Sequence, residues 1–307
     1  MWESGGRNFR DLRNSPILRI CVVAAAVAAA TGCDKLGLGG GSSPTAPSTP
    51  AAGSTIVYTA VGASEANGVG SSAECLPLVD CPNGMGYVPV TVRALTTQGF
   101  KVTSRNLGIP TAVIGRDFQT LGQQYNRTIL GNLIDNEMSF VLSNSTAITI
   151  FAGINEVSTI TAALGGGAGG SDPNAYIDAQ VKAFGADYTT LLAGIRAAAA
   201  STRIVILNVP NAAGLPFLAG VTLAQRQAAQ RIAVGMSKTV NPLVSSSVTV
   251  VDLMCDARSY AASNYSPDGL HPNDAGYAFI SAEVVKAVTS GSYPAPQSTC
   301  SAMTIVQ

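Results

Sequence analysis

From Ser54 onward, short runs of β-branched and aliphatic residues alternate with longer stretches whose apolar positions recur every three to four residues. The runs rich in Val, Ile and Thr, bounded by Gly, Pro or Asn, predict strands over Thr55–Val61, Lys101–Asn106, Ala147–Ala152, Arg203–Val209 and Val248–Leu253. The helical periodicity predicts helices over Val88–Thr97, Asp117–Asp135, Asn174–Ala200, Thr222–Val240 and Asn273–Val288. Strands separated by helices pair in parallel through right-handed crossovers, so the class is α/β: a three-layer α/β/α sandwich on a five-stranded parallel sheet. Segments such as Ile148–Phe151 and Ile204–Leu207 carry apolar residues for both faces, as expected of strands covered by helices on two sides. Gly165–Ser171 is expected to be a mobile Gly-rich surface loop between a strand and a helix. No repeat, coiled coil or second domain is visible in the pattern.

The first 32 residues fall outside that alternation. Arg7, Arg10, Arg13 and Arg19 precede an unbroken apolar run from Ile20 to Ala30. As a helix the run would rise only about 16 Å, against a hydrocarbon core of about 30 Å. Positive residues ahead of a short apolar segment have the order of a signal peptide. The run ends at Ala30-Thr31-Gly32-Cys33, small residues before a cysteine as in a bacterial lipobox, which would make Cys33 the lipidated N-terminus. Ala30 stands where lipoboxes usually have Leu, so plain secretion is the alternative. Residues 33–53, rich in Gly, Ser, Pro and Thr, bury too little apolar surface to offset their ordering entropy and are expected to form a tether. The expected organisation is therefore a leader (1–32), a tether (33–53) and a folded domain (54–307) exposed from the cell envelope.

Charge narrows the function classes. Eighteen Lys plus Arg balance eighteen Asp plus Glu, and charged residues make up 12% of the chain, so no basic surface is expected to capture nucleic acid. The apolar fraction of 47% is too high for a disordered chain. His271 is the only histidine, which excludes metal sites needing two or three imidazoles. With Cys21 in the leader and Cys33 at the anchor, Cys75, Cys81, Cys255 and Cys300 remain. An even set in an exported protein points to two disulfides, among three connectivities. Cys75 with Cys81 would close a short loop, and Cys255 with Cys300 would fasten the C-terminal tail.

Parallel sheets place their chemistry at the carboxyl edge of the strands. The residues just past those edges are Gly62-Ala63-Ser64, Asn106-Leu107-Gly108, Gly153-Ile154-Asn155 and, after the last strand, Asp268-Gly269-Leu270-His271. A serine hydroxyl becomes a nucleophile when a base takes its proton, and histidine is the usual base. Ser64 and His271 form such a pair, with Asp268 as the carboxylate that orients the imidazole; Asp252 and Asp256 are rivals for that role. The Ser64 and Gly108 N–H groups and the Asn155 amide are candidate donors to an oxyanion. Each residue alone has an ordinary reading as a cap or turn residue. Their joint occurrence at strand ends favours catalysis.

In this order the four blocks resemble the SGNH (GDSL-type) hydrolases, with Gly68 and Gly70 following the first. The resemblance covers about residues 54–290 and implies a flavodoxin-like fold, an acyl-enzyme on Ser64, a base at His271, and no cofactor or metal. Ala63 replaces the family's usual Asp in Gly-Asp-Ser, and Glu156 replaces the last Asp of Gly-x-Asn-Asp. No Gly-x-Ser-x-Gly elbow occurs in the sequence. The expected activity is hydrolysis of carboxylic esters on a small molecule, glycan or lipid by a monomer that meets the membrane only through its lipid. Acyl transfer from the same acyl-enzyme, or a non-catalytic envelope binding lipoprotein, are the alternatives.

Overall fold

The computed structural model describes residues 48–307; the predicted leader, the lipidation candidate Cys33 and the tether as far as residue 47 lie outside the described residues. Five strands, β1 (Thr55–Gly62), β2 (Lys101–Asn106), β3 (Ala147–Phe151), β4 (Arg203–Leu207) and β5 (Val248–Val251), form one sheet in the order β2-β1-β3-β4-β5. Every neighbouring pair is parallel. The chain passes from β1 to β2 on one side, then crosses back to β3 on the other, so the strand order reverses between β1 and β3. In register, Ala60 stands beside Asn106 and Gly62 beside Phe151. The loops that leave β1, β2 and β3 therefore open at one edge of the sheet, the crevice where such folds bind ligands.

The sequence explains the layers. In β4 the alternate residues Ile204 and Ile206 join one buried cluster, and Val205 and Leu207 join the other. Helices α2 (Tyr87–Thr97) and α7 (Asp274–Thr289) contribute Tyr87, Leu95, Tyr277 and Val284 to the second cluster. The opposite face is covered by α3 (Arg116–Gln124), α4 (Ile154–Gly165), α5 (Pro173–Ala198) and α6 (Leu223–Val240), through residues such as Phe118, Ile160, Phe184 and Ile232. Each fully buried side chain of this size stabilises the fold by about 1.5–3 kcal/mol. Strand β2 is the exception, an edge strand with mostly exposed residues and a polar sequence.

Two predicted elements need correction. The single helix expected over Asp117–Asp135 ends at Gln124. Asn126 turns left-handed (φ 59°), and an irregular stretch leads to a π-helical turn, Leu133–Glu137, capped by the Asn132 side chain. Asn accepts that backbone readily and caps readily, so its two occurrences break the periodic pattern. The glycine segment Gly165–Ser171 does not follow a strand; α4 intervenes and ends at Gly165, and turns carry the chain to α5. Both disulfides join the suggested partners, Cys75 with Cys81 and Cys255 with Cys300. The second closes 45 positions and, by loop entropy, contributes about 4 kcal/mol.

Candidate active site

Strand β1 ends at Gly62, and Ser64 opens a single helical turn, α1 (Ser64–Asn67), closed by Gly68 in left-handed conformation. Ser64 is nearly buried, with its Oγ 3.0 Å from Nε2 of His271. His271 Nδ1 lies 2.6 Å from Asp268 Oδ2. The three side chains thus form one connected line from hydroxyl to imidazole to carboxylate, across 207 positions of sequence. The rival carboxylates are engaged elsewhere. Asp252 accepts from the Asn208 amide and the Cys255 N–H, and Asp256 pairs with Arg258 at 2.5 Å.

The backbone that carries His271 is held by the residues around it. Asn273 caps α7 by accepting from the Ala275 and Gly276 N–H groups, and its Nδ2 donates to the carbonyls of Ser263 and Tyr265. Ser266 N–H donates to the His271 carbonyl, closing the loop that carries Asp268. Gly70 (φ +89°) passes against the other side of His271, where an added Cβ would lie 2.8 Å from the histidine Cβ. Burial pushes the Asp268 carboxyl up, but hydrogen bonds from the His271 side chain, the His271 and Leu270 N–H groups and the Ser266 hydroxyl outweigh it and hold the pKa at about 2. Asp268 is therefore anionic at neutral pH and can stabilise a charged imidazole.

The oxyanion side is more occupied than expected. The Gly108 N–H donates to Asn106 Oδ1 at 3.1 Å, and Asn106 Nδ2 donates to the Ala66 carbonyl at 2.7 Å. The missing side chain at Gly108 lets the strand-end loops meet, because a Cβ there would lie 2.6 Å from that of Ala66. Asn155 gives one amide proton to the Ala112 carbonyl at 2.8 Å; an amide nitrogen carries two. Ser64, at the first position of α1, has an N–H with no intrahelical acceptor. Among the described residues no group of three or more His, Cys, Asp or Glu side chains is placed to hold a metal ion.

Residues 60–279 match the GDSL-like Lipase/Acylhydrolase family. The chain belongs to this family. It is a carboxylic-ester hydrolase. Among solved structures, the lipase Lip_vut3 from a goat rumen metagenome is 18% identical with a TM-score of 0.53, over 76% of this chain and 98% of that one. The extracellular lipase of Streptomyces rimosus is 16% identical with a TM-score of 0.50, over 76% and 100%. At those identities the likeness supports the parallel-sheet fold. No curated protein matches the sequence.

Within this GDSL-like hydrolase, three acidic residues matter that no motif marked as catalytic. Glu137, from the π-helical turn, is buried and accepts from the Gly62 N–H at 2.9 Å and the Ile109 N–H at 3.3 Å. It therefore ties the end of β1 to the loop after Gly108. Burial pushes its pKa well above the usual range, against the pull of those two N–H groups. Glu156, where the family has Asp, is wholly buried and accepts from the Ile114 N–H. Burial raises its pKa to about 7, against the N–H donors of Glu156, Ile114 and Gly153. The longer carboxyl thus spans from α4 to the loop that Gly108 begins. Glu65 is buried beside Ser64, with Oε2 3.3 Å from Ser64 Oγ, so the single hydroxyl proton has a second acceptor besides His271. The sequence offered one signal for Glu65, an acidic residue next to the serine at a buried strand end.

Two cavities adjoin the site. One of about 30 Å³ is lined by Glu65, Tyr265, Ile154, Leu215 and Leu270 among others. The second, about 270 Å³, shares Ile154, Leu215 and Leu270 with it and extends along α4. A larger hollow of about 630 Å³ lies at the Cys75–Cys81 loop and is lined by none of Ser64, Asp268 and His271.

Proposed function

We propose that the hydrolase works through an acyl-enzyme on Ser64, with His271 as general base and Asp268 as the group that orients it. The observation that carries this reading is the line Ser64 Oγ–His271 Nε2–His271 Nδ1–Asp268, at 3.0 Å and 2.6 Å. His271 takes the Ser64 proton as Oγ attacks the acyl carbonyl carbon. The imidazolium then protonates the alcohol oxygen, the carbon–oxygen bond breaks and the alcohol leaves. Water enters, gives its proton to His271 and attacks the acyl carbon, and the returned proton frees Ser64 with release of the acid. The negative oxygen formed in each half faces the Ser64 and Gly108 N–H groups and the second Asn155 amide proton. Gly108 must exchange its contact with Asn106 for the oxyanion.

The test is turnover of p-nitrophenyl acetate by the 48–307 domain and by its Ser64→Ala variant. A loss of about three orders of magnitude or more in kcat is expected; equal rates would end the assignment. The full chain is read as exported, anchored through Cys33 and acting as a monomer. The leader pattern and the two disulfides support export. Recovery of the full chain from the soluble cytosol would contradict that part.

A further inference from the structure

The cavity along α4 holds a charge that the acyl-enzyme chemistry does not use. Its walls are mostly apolar: Ile154, Val157 and Ala162 from α4, Leu215 and Leu218 from the segment after β4, and Leu270 beside His271. Into this lining comes the half-buried guanidinium of Arg127. Its Nε is enclosed and lacks a hydrogen-bond partner. Among the described residues no carboxylate or carbonyl engages the rest of the group. Burial lowers its pKa with no opposing carboxylate. The carbonyls of Ala162, Ala163 and Leu164 at the end of α4 are already taken by the N–H groups of residues 166–168.

This placement is built by the fold. The Arg127 N–H donates to the Gly122 carbonyl at 2.9 Å, directly after the left-handed Asn126. Enclosing part of a cation without a partner is costly, and although Ser158, Thr161 and Gln225 also line the cavity, none of them is hydrogen-bonded to the Arg127 side chain. A ligand can supply the partner. A guanidinium pairs with a carboxylate through two parallel hydrogen bonds, while the apolar walls take methylene groups.

We propose that the cavity along α4 binds an ester substrate with an aliphatic arm ending in an anion, and that Arg127 selects for that anion. The proposal rests on the Ser64 acyl-enzyme reading. Leu270 is next to His271 and Ile154 is next to Asn155, so the arm leaves the scissile bond at the near end of the cavity. The wall of α4 from Ile154 to Gly165 is about 16 Å long, which suits arms of about four to ten carbons.

The experiment compares kcat/KM for p-nitrophenyl half-esters of linear dicarboxylic acids with matched monocarboxylate esters. A second arm compares acetyl esters of ω-hydroxy acids with acetyl esters of the matching alcohols. At the best length, one charged series should exceed its neutral partner by about ten- to a hundred-fold. Arg127→Gln should remove that preference, lowering the charged ester's kcat/KM far more than the neutral ester's, and Arg127→Lys should restore part of it. No preference in either series, or a preference that survives in Arg127→Gln, would overturn the inference. Inhibition of wild-type p-nitrophenyl acetate turnover by suberate against octanoate gives a readout independent of the variants' folding. Stronger inhibition by suberate is expected, and equal inhibition overturns the inference. Ser64-dependent turnover without charge selection sinks this inference alone; turnover independent of Ser64 sinks the reading beneath it.

Discussion

Asp268, three positions before His271, and Glu156, next to Asn155, have surroundings that drive their ionisation in opposite directions. Asp268 is about half exposed, accepts four hydrogen bonds from its own short loop and is held at about 2. Glu156 is wholly enclosed, has one oxygen without a hydrogen-bond partner and is raised to about 7. One carboxyl is kept charged to face an imidazole; the other is pushed toward neutrality and holds backbone in place. The difference comes from solvent access and the number of donors, since the two acids have similar intrinsic strength. The histidine side of the site is set by electrostatics in a local loop. The oxyanion side is set by buried acids that join loops from three different strands.

The largest effect is expected at Asp268. Asp268→Asn keeps the size of the side chain but removes the negative charge facing Nδ1, and should lower kcat by about 10²–10⁴-fold with a much smaller change in KM. A loss below tenfold would mean that Asp268 only shapes the loop. Because Asp268 stays ionised down to about pH 2, any loss of wild-type activity between pH 7 and about 4 comes from another group.

A smaller effect, on stability, is expected at Glu156. Folded Glu156 keeps its proton up to about pH 7, whereas the unfolded chain releases it near 4.5. In that window the folded state binds more protons, so the wild type should lose stability as pH rises from about 4.5 through 7. The full difference corresponds to about 3 kcal/mol. Glu156→Gln is uncharged throughout and can still accept from the Ile114 N–H. Its Tm should therefore fall less than that of the wild type between pH 5 and about 8. Parallel melting curves across that range would show that Glu156 does not carry the predicted cost.

The contrast also separates what the sequence made legible from what it did not. The five strands lie where runs of Val, Ile and Thr place them, and β3 and β4 are buried throughout, as residues apolar on both faces require. The meeting of Ser64, His271 and Asp268 was legible because a single histidine sits in a four-residue block with a carboxylate, and because parallel topology forces the strand ends together. Helix α4 was not legible, because Ile154, Val157, Thr159, Ile160 and Thr161 have weak helix preference and follow directly on a strand. Glu137 was missed because its partners are the backbone N–H groups of Gly62 and Ile109, which carry no side-chain signature. Arg127 carries no sequence signal either, because the lack of a partner for its enclosed Nε follows from the fold around it.

Activation of the Ser64 hydroxyl by His271 is tested most directly by covalent labelling with a fluorophosphonate followed by peptide mass analysis. The prediction is a single phosphonylated peptide containing Ser64, formed in step with loss of ester turnover and absent in His271→Gln. Labelling at a different serine, or complete loss of turnover with Ser64 unmodified, would contradict it.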